Sequence, residues 1–345
     1  MSDPIGASPM HRALRLLLIT GTAGILMGAC TAGTLYAFQS SLDSEIVRIP
    51  DALPTLESER PPPEVGVGEN WLLVGTDSRS EKATTGKDAT TRLWRPGEQR
   101  TDTIMLIHLS ESGNRACVIS IPRDSWVSVP GKGKAKINAA FSWGGPALLI
   151  KTIEKVTGVR IDHYAAIDFQ GFSSATDSIG GVDVEIARTV RDPFNNVTWK
   201  AGRQHLNGEQ ALQFVRQRAN LPGGDLDRIK RQQALLNSIA DKVLSTETLT
   251  NPLKLNDLLR SLTKAISVDS GVTPGVLRSR MLKLTGLDSL DYVTMPVKGT
   301  GMEDSQSVVY LDLPQVRALS EAIQDDRVDD YVRENDSGNA VDEVR

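Results

Sequence analysis

The stretch FVRQRANLPGGDLDRIKRQQ, from Phe214 to Gln233, carries five basic residues (Arg216, Arg218, Arg228, Lys230, Arg231) and two acidic ones (Asp225, Asp227), within a 345-residue chain of formal net charge −4. A planar guanidinium binds phosphate oxygens in pairs, so this spacing suits a phosphorylated ligand. Nucleic acid, a phosphorylated small molecule or lipid, and plain solvent are the three occupants to separate. On a helix Arg228 and Gln232 stand four residues apart and share a face, with Arg231 beside them. Gly223-Gly224 lets the chain turn so that this face approaches Arg216 and Arg218.

Three more polar groups flank apolar runs: Asp77-Ser78-Arg79 after NWLLVGTD, Arg100-Thr101-Asp102 before TIMLIHLS, and Arg123-Asp124 ending ACVISIPRD. Residues at strand ends of an α/β sheet line a crevice, so these groups can converge on the arginines. Singly, each reads as an ordinary turn aspartate or a solvated arginine.

The elements that must position these residues alternate between strand and helix. The runs NWLLVGTD, DTIMLIHLS and ACVISIPRD have the length and β-rich content of strands buried on both faces, and DHYAAIDF and GGVDVEI return to strand character. GPALLIKTIEKVTG has helical spacing, with Pro146 near its start and Gly158 at its end. NGEQALQFVRQR is a second helix with Asn207 as N-cap and Glu209 and Gln210 in its first turn. DRIKRQQALLNSIADKVL is a third, with Ile229, Leu235, Leu236, Ile239 and Val243 as its buried stripe. The fold class is α/β: one domain with a central, mostly buried sheet flanked by helices.

Location narrows the choice of anion. No charged residue occurs from Leu16 to Leu42, and 14–38 is long enough for one membrane helix, which needs roughly 20 apolar residues. His11, Arg12 and Arg15 precede it and Asp43 and Glu45 follow. The expected topology is therefore single-pass in the cell membrane, with a short cytoplasmic segment (1–13) and an extracytoplasmic domain (66–322). Residues 39–65, ending in Pro61-Pro62-Pro63, read as a stiff linker lifting the domain off the membrane. From Glu321 onward nine acidic residues face three basic ones, and 323–345 reads as an acidic, disordered tail. Two cysteines, Cys30 in the span and Cys117 alone beyond it, leave no internal disulfide, and four scattered histidines disfavour a structural zinc site.

LLVGTDSR, RTDTIMLIHL, VISIPRDSWV, KINAAFSWGG, DSIGGVDVEI and LNGEQALQFVRQRANLPGGDLDRIKRQQ occur in order and with consistent spacing over roughly residues 69–320. In these segments the chain resembles the LytR-CpsA-Psr (LCP) family of bacterial cell-envelope proteins. The resemblance implies an LCP-type domain and a phosphotransferase. Such an enzyme moves a glycan phosphate from a polyprenyl-pyrophosphate carrier to a sugar hydroxyl of the cell wall, such as peptidoglycan, and releases polyprenyl phosphate. Carried over, Asp77 and Asp102 match the aspartates that hold Mg²⁺, with Mn²⁺ as the alternative ion. Arg79, Arg100, Arg123, Arg216, Arg218, Arg228 and Gln232 match the residues that grip the pyrophosphate or pack around it. Asp225 matches an acidic position in the Gly-Gly-Asp turn and is a candidate base. The resemblance also implies an apolar tunnel for the lipid, with ALLIKTIEKV and YAAIDF as expected walls.

The residue types suit that chemistry, since Mg²⁺ usually takes one or two carboxylates plus phosphate oxygens and water. Gln99 before Arg100 and Leu226 after Asp225 depart from the family's habit without changing a charged ligand. Lys136 and Asn138 read equally as pocket residues or as a solvated lysine and a turn asparagine. Nucleic acid is not an expected partner, because the cluster lies beyond the membrane and the domain has no strongly basic face. A non-catalytic lipid-binding or scaffolding protein, and a pyrophosphatase using water as acceptor, are the rival readings.

Overall fold

The computed structural model describes residues 46–63, 66–78, 84–86, 89, 93–97, 99–217, 219–221, 225–243, 245, 260–284 and 286–335; of Asp77, Arg100 and Asp225 the backbone alone is placed. The expected membrane helix, 14–38, lies outside the described residues. Among those described, no helix is long and apolar enough to cross a membrane.

The apolar runs form a seven-stranded mixed sheet. Its strands are β1 (Val47–Ile49), β2 (Glu69–Ser78), β3 (Gln99–Leu109), β4 (Arg115–Ser120), β7 (His163–Asp168), β12 (Ile266–Asp269) and β13 (Ser289–Thr294), in the order β1-β12-β7-β2-β3-β4-β13. The hairpin β5 (Trp126–Val129) and β6 (Gly133–Lys136) leads from β4 into helix α1 (Ile137–Thr157). Inside α1, Gly144 and Gly145 leave helical geometry and Pro146 restarts it. Gly145 sits at φ 65°, and a Cβ there would meet the Trp94 ring at 2.9 Å, so glycine is required both by conformation and by packing. Gly158, in the left-handed region, ends the helix as the sequence indicates.

Strand periodicity divides the core. Leu72, Val74, Ile104, Leu106 and Ile119, all nearly inaccessible, face one side of the sheet, against Leu149, Ile150 and Ile153 of α1. Leu73, Met105, Val118 and Ala165 face the other. That second side is covered by α2 (Phe169–Ser178), α3 (Gly208–Arg216) and α4 (Asp225–Val243). Helices α3 and α4 also share a smaller core with the ribbon of β8 (Val182–Ile186) and β11 (Gly202–Leu206). Asn207 caps α3 in a reciprocal pair with Gln210, the N-cap read from the sequence. On α4, Ile229 and Leu235 are fully buried, while Leu236, Ile239 and Val243 are half-buried.

Two boundaries differ from expectation. The linker does not stand clear of the domain: Val47–Ile49 pairs in parallel with β12, and Ile46 is buried beside Val268 and Val272. Arg60 is also buried, forked onto Glu154 of α1 at 2.7 Å, and that carboxylate accepts the Ile161 backbone N–H at 3.0 Å as well. The cause is an open sheet edge and an interior carboxylate, both of which need partners. At the other end, the acidic stretch begins in ordered structure. Helix α5 (Leu313–Gln324) is followed by α6 (Val328–Asn335), whose Val328 and Tyr331 join the main core. Its charges are partly matched, with Arg115 bound to Asp329 at 2.5 Å. Residues 336–345 lie outside the described residues.

Candidate active site

The ladder between β2 and β3 runs in register from Glu69 opposite Leu109 to Gly75 opposite Thr103, then slips by one, so that Thr76 faces Thr101 and Asp77 faces Arg100. The extra residue is Asp102. A β-bulge re-aims the chain where it occurs, and here it buries Thr76 and Thr101 completely while Asp102 remains partly open on a cleft. Gly75 permits the close approach, since a Cβ there would lie 3.0 Å from Cβ of Thr103.

Arg123 follows the end of β4 and donates from its guanidinium to the Asp102 carboxylate; both side chains are mostly buried. Its Nε lies 3.7 Å from Asp124, which in turn binds Lys136 at 3.0 Å. Lys136 is therefore an ion-pair partner behind Arg123 rather than a solvated lysine, and the Asn138 N–H donates to the Arg123 carbonyl at 3.2 Å.

Helix α4 supplies the opposite wall. Arg228 is 3% exposed, and Gln232, one turn on, donates to Oγ1 of Thr103 at 3.0 Å. Both line the cleft with Asp102. Arg231, expected on the same face, instead turns into the core. It is fully buried, donates to Gln217 at 2.7 Å and to the Phe214 carbonyl at 3.3 Å, and stacks 4.4 Å from the Phe214 ring. Burial pulls its pKa down to about 10, still well above neutrality. Arg216, at the end of α3, is exposed and lies 4.1 Å over the Phe169 ring.

Asp102, Arg216, Arg228 and Gln232 bound a cleft of about 600 Å³. Thr103, Phe169, Leu212, Val215 and Gln232 border both this cleft and an adjacent cavity of about 90 Å³ between the sheet and α2, α3 and α4. That cavity is lined by Leu73, Met105, Ile167, Phe172, Leu235 and Leu236. The YAAIDF strand contributes Ile167 to it as expected. The ALLIKTIEKV helix does not, because α1 packs on the opposite side of the sheet.

Of the residues read from the sequence, Asp102, Arg216, Arg228 and Gln232 meet at the cleft, and Arg123 joins them through Asp102. Asp77 and Arg100 are opposite one another in the ladder beside the bulge, and Asp225 opens α4. Arg79 and Arg218 lie outside the described residues. Sequence reasoning missed Phe169, Asp192, Phe194 and Gln213, which also line the cleft. Phe194 has a detectable signal, an aromatic residue in the polar turn DPFNN.

Asp77 and Asp102 stand on neighbouring strands beside the one-residue bulge, and carboxylates are the ligand type that Mg²⁺ takes together with phosphate oxygens and water. An arginine-walled cleft bordering an apolar pocket suits an amphiphile with a phosphorylated head.

The chain belongs to the LytR_cpsA_psr family, whose model matches residues 54–325. It is 38% identical over 260 residues to the probable cell wall biosynthesis protein LcpB of Corynebacterium glutamicum, an alignment covering 73% of this chain and 59% of that protein. The chain thus spans under two thirds of that relative's length. Among solved structures it resembles the LytR-Csp2A-Psr enzyme from Actinomyces oris, with a TM-score of 0.63 and 22% identity, covering 81% of this chain and 96% of that one. It also resembles TagT bound to LIIa-WTA, with a TM-score of 0.58 and 22% identity, covering 75% and 90%. These structural likenesses concern the fold.

Proposed function

We propose that this protein transfers a glycan phosphate from a polyprenyl-pyrophosphate carrier to a sugar hydroxyl of the cell wall, releasing polyprenyl phosphate. The observation that carries the reading is the adjacency of the arginine-walled cleft and the apolar cavity, which share Thr103 and Gln232 as lining. A pyrophosphate head and an isoprenoid tail have that same division. Family membership, and a related fold holding LIIa-WTA, support it.

In this reading Arg216 and Arg228 receive the pyrophosphate oxygens, while Arg123 holds Asp102 in place from behind. The acceptor oxygen attacks the sugar-side phosphorus, and the bond from that phosphorus to the bridging oxygen breaks. Its electron pair leaves on polyprenyl phosphate, and the acceptor proton passes to a carboxylate, for which Asp225 is the candidate. Fixed guanidinium groups stabilise the charge that builds on the departing phosphate, and positioning supplies much of the rest. Asp77 and Asp102 would hold Mg²⁺, which when bound supplies further neutralisation of phosphate charge. Residues 14–38 would anchor the chain in the cell membrane, so that it meets a lipid-borne donor at the bilayer surface.

The cavity is small, about 90 Å³, so a prenyl chain must part its walls as it enters. The reading is tested with the full chain in detergent and two sugar pyrophosphates, one carrying a prenyl chain and one a methyl group. The prenyl donor is expected to bind at least about 100-fold tighter, from ~0.8 kcal/mol per buried CH₂. Arg228→Ala is expected to weaken both donors. Equal affinity for the two would defeat the reading.

A further inference from the structure

The hairpin of β9 (Val190–Asp192) and β10 (Val197–Trp199) forms the outer wall of the cleft, and its tip is unusual. Phe194 is 84% exposed. A lone exposed apolar residue is ordinary, but this one is held in place. Asp192, 1% exposed, accepts the Phe194 N–H at 3.0 Å and the Asn195 side-chain amide at 2.7 Å, and Asn196 closes the turn at φ 52°. The base of the hairpin is equally fixed. Trp199 packs edge-on against Phe214 at 5.5 Å, and the Arg191 carbonyl accepts from Asn220 at 3.0 Å. The fold thus keeps an aromatic ring in solvent on a rigid support.

The cleft that Phe194 lines also carries polar groups. Asn195 follows Phe194 on the turn, and Glu209 and Gln213 of α3, hydrogen-bonded to each other at 3.3 Å, line the same cleft. An aromatic face beside an amide and a carboxylate matches a pyranose ring, which has an apolar C–H face and a polar edge of hydroxyls. Phenylalanine has no polar tip of its own, so solvent exposure satisfies nothing in its side chain.

We infer that Phe194, with Asn195, Glu209 and Gln213, forms a sugar-binding subsite at the mouth of the cleft. The inference deepens the proposed transfer reaction and rests on it for the origin of the sugar, which belongs either to the acceptor or to the donor glycan.

Titration calorimetry on the full chain separates these sources. The probes are a peptidoglycan tetrasaccharide and, separately, a polyprenyl-pyrophosphate disaccharide, each against wild type, Phe194→Ala and Phe194→Trp. Stacking of a ring on an aromatic side chain is worth about 1–3 kcal/mol where it has been measured for bases, so Phe194→Ala is expected to weaken one probe by roughly 5- to 140-fold. Phe194→Trp is expected to retain binding, and neither variant should lower the melting temperature. Weakening confined to the tetrasaccharide assigns the subsite to the acceptor, and weakening confined to the lipid assigns it to the donor. Unchanged affinity for both probes in Phe194→Ala, or no binding of either by wild type, overturns the inference. If wild type binds the tetrasaccharide through Phe194 yet transfers nothing to it, the subsite stands and the transfer reaction falls.

Discussion

Gln232 on α4 and Thr103 on β3 are joined by a hydrogen bond of 3.0 Å, one residue beyond the bulged Asp102. That bond ties the helix bearing Arg228 to the strand bearing the candidate metal ligand. It also sits where the polar cleft meets the apolar cavity. A double-mutant cycle of Gln232→Ala and Thr103→Val should give a coupling of about 1 kcal/mol in stability. Transfer activity should fall about 10-fold or more in each single variant, because the two walls lose their common reference. Independent, additive effects on stability would show that the bond does not link them.

Arg231 and Arg228 lie three residues apart and should behave differently. Arg231→Met removes a buried cation bonded to Gln217 and Phe214, and is expected to cost about 2–4 kcal/mol in urea unfolding. Arg228→Lys keeps the charge but not the planar fork, and its principal effect is expected on donor affinity.

The docked segment before β2 predicts the effect of truncation. A chain begun at residue 66 loses β1 and Arg60, leaving Glu154 buried without its guanidinium. It should be less stable than one begun at residue 45 by about 3 kcal/mol or more, and Glu154→Gln should reproduce much of the loss. Equal urea midpoints would show that the segment is a passive linker.

At the far end of the sheet His163 lies between Glu69 at 2.9 Å and Asp269 at 3.1 Å, against the Trp71 ring. Burial alone would lower its pKa, but the hydrogen bonds to Asp269 and Glu69 outweigh that and hold it up at about 9. The stability it contributes is therefore complete below its unfolded value of about 6.5 and is lost as pH rises through about 9. Glu69 is pushed up by burial and drawn down more strongly by His163 and Arg280, to about 2, so its contribution is complete above its unfolded value of about 4.5 and is lost as pH falls through about 2. Urea midpoints should fall between pH about 6.5 and 9 in wild type, and the decline should flatten in His163→Gln. A parallel decline in both would remove His163 as its source.

The sequence was readable where one periodicity dominates. ACVISIPRD is buried on both faces through Ser120, NWLLVGTD and DTIMLIHLS bury one face fully and the other in part, and the Asn207 cap and the Gly158 stop each carry a local chemical reason. The bulge at Asp102 was not readable, because a one-residue slip leaves no trace in composition. The placement of Arg231 is not legible because residues three apart on a helix share a broad face, and its partners Gln217 and Phe214 lie on the preceding segment of the chain. The docking of β1 and Arg60 depends on partners more than 90 residues away in sequence, which no local pattern reveals.

The central claim is tested most directly by turnover. The full chain would be incubated with a polyprenyl-pyrophosphate glycan and a peptidoglycan oligomer, with and without Mg²⁺, beside Asp102→Asn, and both lipid and acceptor followed by mass spectrometry. The predicted result is polyprenyl monophosphate together with an acceptor heavier by the phosphoglycan, dependent on the ion and lost in the variant. An intact lipid with every acceptor, or monophosphate with an unmodified acceptor, would contradict the transfer reaction.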